Sequence, residues 1–270
     1  MNKRQGVSGS DTFKIGRQSL EWQAWGAEDA QRTIVLLHEG LGCVGLWLDF
    51  PESLAQATGA RVIAYSRAGY GQSSPISLPR PLDYMTREAQ EVLPLVLDAI
   101  GSDEVVLVGH SDGASIAAIH AGTVSDDRVK GVVLIAPHFF TEPMGLAAIA
   151  QARTAYETSN LREKLARWHA HVDCAFFGWN LAWLDPEFVH WNIKDVLPGI
   201  RVPVCVIQGD ADAYGTLAQV RAVEQGVPAR VETHVLPGIG HSPHRETRDE
   251  LVGRIREFVH ADALSSGQSP

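Results

Sequence analysis

The feature that most narrows the possible folds is a recurrence: short runs rich in Val and Ile alternate with helical patterns. The runs are TIVLLH (33–38), RVIAYS (61–66), EVVLVG (104–109), VKGVVLIAP (129–137), VPVCVIQG (202–209) and RVETHVLPG (230–238). Near-continuous apolar runs, unlike strictly alternating ones, suit strands buried on both faces. Helix-like stretches fall at 48–58, 84–100, 112–122, 216–225 and 245–260. The expectation is an α/β fold, a mostly parallel central sheet with helices on both faces. TFKIGRQ and LEWQAW (12–18 and 20–25) read as a leading hairpin.

The rhythm breaks once. From 140 to 198 there is no strand-like run, only helical patterns such as GLAAIAQARTAYETS and LREKLARWHAHV. This segment is expected to be a helical cap, or lid, inserted into a core made of residues 1–139 and 199–270. It holds four of the seven tryptophans, Trp168, Trp179, Trp183 and Trp191, with Phe176, Phe177 and Phe188. Those aromatics serve either the insertion's own core or the apolar walls of a small-molecule pocket, with Trp179 and Trp183 as candidate substrate contacts. The first ten residues and the tail ALSSGQSP (263–270) are rich in Ser and Gly and are expected to be loosely ordered.

Composition excludes some functions. A net charge of −9 argues against a nucleic-acid partner, because such binding needs Lys and Arg to neutralise phosphates. A small molecule is the better fit. The cysteines, Cys43, Cys174 and Cys205, are far apart and form no C-x-x-C pair, which points to a reducing compartment. With no apolar segment after the basic N-terminus and no run of about 18 apolar residues, the chain reads as cytoplasmic with no membrane span. The oligomeric state is not indicated.

Chemistry enters at EVVLVGHSDGASIAAIHAG (104–122). Gly109-His110-Ser111-Asp112-Gly113 is a G-x-S-x-G pattern between a Val-rich strand and a small-residue helix. A sharp strand-to-helix turn leaves no room for Cβ atoms beside a side chain forced outward, hence the glycines. A serine hydroxyl needs a base, and a histidine base needs a carboxylate to orient it. His241, in LPGIGHSPHRE just beyond the last strand, is best placed as base; His244 starts the final helix, and His110 points elsewhere by the geometry of the turn. After the preceding strand, GDADAYG offers both Asp210 and Asp212.

The order Ser, Asp, His on these strand ends, with LLHEGLG (36–42) and YSRAGYGQSS (65–74), resembles the α/β-hydrolase fold family over nearly the whole chain. The resemblance implies that the acid lies in G-x-x-D, here Gly209 to Asp212, which favours Asp212 over Asp210. It also implies an oxyanion hole made of a backbone N–H near Gly40 or Leu41 and that of Asp112. Glu39 departs from the pattern, standing where many members have glycine. It is expected either to face solvent or pair with Arg67, or to be an acidic contact at the pocket mouth. His138 is a substrate-binding candidate or a packed histidine. Cys43 reads as filler, and HAH (169–171) and HSPH (241–244) are too sparse for a metal site.

The chemistry expected is acyl transfer without cofactor or metal: Ser111 attacks a carbonyl, His241 moves the proton, Asp212 holds the imidazole, and water cleaves the acyl-enzyme. A carboxylic ester or lactone with an apolar or aromatic part is the expected substrate. Amide or carbon-carbon bond hydrolysis on the same triad, or a noncatalytic ligand-binding receptor, are the alternatives.

Overall fold

The computed structural model describes residues 7–261. Eight strands form one sheet in the order β1-β2-β4-β3-β5-β6-β7-β8. They are β1 (Val7–Ile15), β2 (Gln18–Trp25), β3 (Thr33–Leu37), β4 (Arg61–Tyr65), β5 (Val105–His110), β6 (Val129–Ile135), β7 (Val204–Gly209) and β8 (Val231–Leu236). The β1–β2 hairpin joins β4 antiparallel, and every later pair is parallel. Val7, Gly9 and Ser10 belong to β1 and pair with β2, with a register shift at Ser8, so the expectation of a loose N-terminus fails there: Ser and Gly are tolerated where backbone pairing supplies the order. Residues 1–6 and the tail 263–270 lie outside the described residues.

Alternate residues of each central strand feed two cores. Val35, Leu37, Leu107, Leu134 and Val206 face α2 (Tyr84–Arg87), α3 (Leu93–Ile100), α4 (Asp112–Thr123) and α8 (Leu217–Gly226). Ile34, Leu36, Val106, Val108, Ile135 and Ile207 face α1 (Phe50–Thr58) and α10 (Arg248–His260), the latter preceded by the short α9 (Pro243–Glu246). The stretch 84–100, expected as one helix, carries a π turn at Glu88–Val92. Pro94 lies at the start of α3 and has no N–H to donate, and the Leu93 N–H reaches back to the Glu88 carbonyl, so the ladder slips by one residue.

Between β6 and β7 the chain forms α5 (Pro143–Thr158), α6 (Leu161–Ala166) and α7 (Val172–Trp183), then two 3₁₀ turns, Pro186–His190 and Lys194–Gly199. A bridge between Phe140 and Asn192 draws the two ends of this insertion together. In register, Leu37 lies beside Gly109, His110 beside Ile135, and Ile135 beside Ile207. The C-terminal ends of four parallel strands therefore form one edge, where an open α/β sheet places its chemistry.

Candidate active site

Ser111 leaves β5 at φ 55° and ψ −118°, a backbone conformation that only a heavily determined turn holds in a non-glycine residue. The determination is steric. A Cβ on Gly109 would lie 2.2 Å from the Gly113 carbonyl oxygen, and one on Gly113 would lie 2.0 Å from that of Leu37. Both positions must be glycine for α4 to start this close to β3 and β5.

His241, in the loop after β8, places Nε2 3.0 Å from Ser111 Oγ and Nδ1 2.8 Å from Asp212 Oδ2. A carboxylate can only accept, so Nδ1 carries the proton and Nε2 is free to accept from the serine hydroxyl. Asp212 also accepts from Gln208 Nε2 at 2.7 Å and from the Tyr214 N–H at 2.7 Å. Burial pushes its carboxyl pKa up, but the hydrogen bond and charge of His241, with the Tyr214 N–H, outweigh that and hold it below the usual range. Asp210 instead accepts from the Gly238 N–H at 2.6 Å, in an exposed turn. The structure thus brings Ser111, His241 and Asp212 together and leaves Asp210 outside.

The loop after β3 is held through its main chain. His38 is buried; its Nε2 accepts the Arg67 N–H at 3.0 Å and its Nδ1 donates to the Glu39 carbonyl at 2.7 Å. The Arg67 guanidinium donates to the carbonyls of His38 and, at 3.0 Å, Glu39. The Arg67 guanidinium is thus spent on main-chain carbonyls and not on the Glu39 carboxylate, which is half-buried at the cavity instead of free in solvent. Its Oε2 lies 3.4 Å from His110 Nδ1. Burial favours the neutral acid, yet His110, with His244 and His38 behind it, holds the Glu39 pKa well below the carboxylate range. Glu39 lines the same cavity as Ser111, its carboxylate beside the His110 ring.

That cavity, of about 200 Å³, is bounded by Gly40, Leu41, Asp112, His138, Trp179 and Trp183, together with Ile149 and Tyr214. Of the seven aromatics singled out in the insertion, Trp168, Phe176, Phe177, Trp179, Trp183, Phe188 and Trp191, only Trp179 and Trp183 reach it. Phe176 stacks on Tyr156 at 3.7 Å and Phe188 on Trp191 at 5.3 Å, which holds the insertion together. His138 is buried, its ring 5.3 Å from Trp183 and 5.7 Å from His241, and desolvation with the nearby His241 charge pushes it down to about 3. The Asp112 carboxylate accepts from Tyr84 Oη, which in turn accepts from Trp183 Nε1 at 3.1 Å. The N–H groups of Gly40, Leu41 and Asp112 have no protein partner among the described residues.

Four supporting residues escaped the sequence reading: Gln208 on Asp212, Tyr84 on Asp112, His169 on Leu41, and His110. His110 points at the loop that carries His241: its Nε2 donates to the His241 carbonyl at 2.6 Å. His244 is the second residue of α9 and not part of the final helix, because Thr247 interrupts the run; it is buried, and desolvation takes it to about 3. Among the described residues, only Cys205, Glu232 and His234 have ligand-like spacing for a metal. They lie on β7 and β8 away from the cavity, Glu232 already pairs with Arg230 at 2.6 Å, and burial raises the Cys205 thiol far above its usual range. No described helix is long and apolar enough to cross a membrane.

A sequence model of the "Alpha/beta hydrolase family" matches residues 34–254. A Synechocystis sp. protein provisionally named non-heme chloroperoxidase is 30% identical over 233 residues, 74% of this chain and 82% of that protein. The crystal structure of proline iminopeptidase from Mycobacterium smegmatis is similar with a TM-score of 0.74 at 19% identity, over 96% of this chain and all of that one (100%). The enol-lactonase from Burkholderia xenovorans LB400 gives 0.73 at 19% identity, over 93% of this chain and 100% of the other. At these identities the two structures share the fold.

Proposed function

The chain belongs to the alpha/beta hydrolase family, and on that premise we propose that it is a serine hydrolase of carboxylic esters or lactones. The observation that carries this is the hydrogen-bonded series Ser111 Oγ, His241 Nε2, His241 Nδ1, Asp212 Oδ2, at 3.0 and 2.8 Å. Ser111 Oγ attacks the substrate carbonyl as its proton passes to His241 Nε2. The proton then goes to the leaving alkoxide, and the acyl group stays on Ser111. Water repeats the sequence in reverse, with Asp212 steadying the imidazolium in both halves. The N–H of Asp112, at the start of the 12-residue α4, and that of Leu41 or Gly40 receive the oxyanion.

The insertion 140–198 acts as the cap of this site, closing the acyl pocket with Trp179 and Trp183 over a core of 1–139 and 199–270. A cavity of about 200 Å³ has room for a ring-sized group, since a dry cavity of about 150 Å³ holds benzene. Its acidic lining residues, Glu39 and Glu142, disfavour an anionic acyl group. The three free thiols, Cys43, Cys174 and Cys205, suit the cytoplasm.

Turnover of a panel of p-nitrophenyl esters and lactones tests the reading, with the Ser111→Ala variant alongside. The variant should fold and lose several powers of ten in rate. Wild-type rates in Ser111→Ala would exclude the assignment. A ligand-induced rise in melting temperature with no turnover of any ester would make the protein a receptor instead.

A further inference from the structure

The loop that supplies Gly40 and Leu41 is touched along its length by the insertion. A Cβ at Gly40 would lie 2.2 Å from the Trp179 indole, so that ring packs directly on the loop backbone. A Cβ at Gly45 would lie 2.8 Å from the Trp168 ring. Between them, His169 Nε2 bonds the Leu41 carbonyl at 3.1 Å. The same imidazole accepts the Gly71 N–H on Nδ1 at 3.0 Å, and Ala170 N–H returns a bond to the Gly71 carbonyl at 2.9 Å.

These partners fix the state of His169. Gly71 N–H can only donate, so Nδ1 must hold a lone pair; the Leu41 carbonyl can only accept, so Nε2 must hold the proton. The side chain is 2% exposed, and desolvation keeps its pKa below the ordinary value, in keeping with one neutral tautomer.

Peptide planes show what this bond controls. The carbonyl of Glu39, in the plane shared with Gly40, accepts from Arg67 and from the Gly42 N–H. The carbonyl of Leu41, in the plane shared with Gly42, accepts from His169. The plane between them carries the Leu41 N–H and has no hydrogen bond of its own among the described residues. It is held only by its two neighbours, with Trp179 packed on the Gly40 side.

We propose that His169 is a positioning residue through which the helical insertion sets the oxyanion loop, so that the insertion takes part in turnover as well as enclosing substrate. The inference rests on the serine-hydrolase reading and on the loop amide as an oxyanion donor. Loss of the Leu41 bond leaves the Leu41–Gly42 plane held at one end only, by the Gly42 N–H on the Glu39 carbonyl, and misaim of a preorganised donor acts on the transition state more than on the bound substrate.

Three variants test it, with p-nitrophenyl acetate as substrate and active sites counted by a serine-reactive p-nitrophenyl phosphonate. His169→Asn puts an acceptor where Nδ1 stood and keeps the Gly71 bond, but does not reach Leu41. His169→Gln reaches Leu41 through its amide N–H. His169→Phe keeps the ring and loses both bonds. Asn and Phe should lower kcat per active site roughly tenfold to hundredfold while KM stays within about threefold, and Gln should restore most of the rate. If Phe does not fold, the Asn and Gln pair decides, because Asn retains the anchoring bond. The inference is overturned if His169→Asn has wild-type kcat, if Gln is as slow as Asn, or if the loss is confined to KM. A dead Ser111→Ala beside a fully active His169→Asn would overturn this inference alone; an active Ser111→Ala would overturn the reading beneath it.

Discussion

The turn that carries Ser111 and the helical insertion face each other across one cavity, but they are specified in opposite ways. At the turn, contact is backbone against backbone: Gly109 against Gly113 within the motif, and Gly113 against Leu37 on the adjacent strand β3. Only glycine satisfies those approaches, so the geometry is written as a local motif. In the insertion, contact runs from a side chain to a backbone far away in the chain, as from Trp179 to Gly40 or His169 to Leu41. Nothing near Trp179 or His169 in the sequence marks them, and neighbouring Phe176 and Trp191 are of the same residue classes with a different use. Backbone-limited chemistry therefore shows in the sequence, while side-chain docking does not.

The sharpest test of the first half of this contrast lies in the loop after β7. Asp212→Asn should lower kcat by about four powers of ten, because an amide in place of the carboxylate favours the wrong tautomer of His241. Asp210→Asn should leave kcat within about threefold, since it removes only an exposed turn contact. Equal losses in steady-state kinetics would place the two carboxylates in the wrong roles.

His110 stands in the motif but acts at long range, so it probes the boundary between the two kinds of region. His110→Phe keeps a ring in the buried site and removes the bond to the His241 carbonyl. A fall in kcat of about tenfold to a hundredfold with nearly unchanged KM is expected, as a small misplacement of the base costs on that order. Wild-type kcat would show that the His241 loop is held without it.

The insertion's aromatics divide into two groups that different measurements separate. Trp179→Ala and Trp183→Ala, at the cavity, should change the ratio of kcat/KM for aromatic-acyl over acetyl esters by roughly tenfold to a hundredfold, reflecting roughly 1.5–3 kcal/mol of apolar contact. Phe176→Ala should leave that ratio alone and lower stability by about 3–5 kcal/mol, because its ring is fully buried against Tyr156. A ratio unchanged in every variant would remove the acyl-pocket role from the insertion.

The smallest effect is in the pH dependence of stability. His138 and His244 fall to about 3 in the folded chain, against an ordinary value near 6.5. Between those values the unfolded chain binds more protons, so folding loses stability as pH falls below about 6.5. The slope is at most about 1.4 kcal/mol per pH unit for each histidine. Urea melts at pH 7 and pH 5 should show the loss, and His244→Phe, placed against Trp47 and Phe50, should reduce it. An unchanged difference in that variant would assign the acid sensitivity to other groups.

By itself, the sequence settled the alternation of buried strands and helices, the sharp turn at Ser111, the helical character of 140–198 and the strand ends on which serine, aspartate and histidine stand. These follow from periodicity and from steric limits acting over a few residues. It left Glu39 open, gave no sign of His169, and turned His110 away from the nucleophile without showing what it meets, because each depends on a partner from another element: His110 for Glu39, Leu41 for His169, the His241 carbonyl for His110. The sequence offered Trp179 and Trp183 as candidate contacts with no local mark to set them apart from the other aromatics, and it is the docking of α7 on the loop after β3 that puts them on the cavity wall. A side chain's partner across tens of residues is fixed by packing of the whole chain, and hydrogen bonds to a backbone carbonyl leave no requirement on the identity of the residue that offers it.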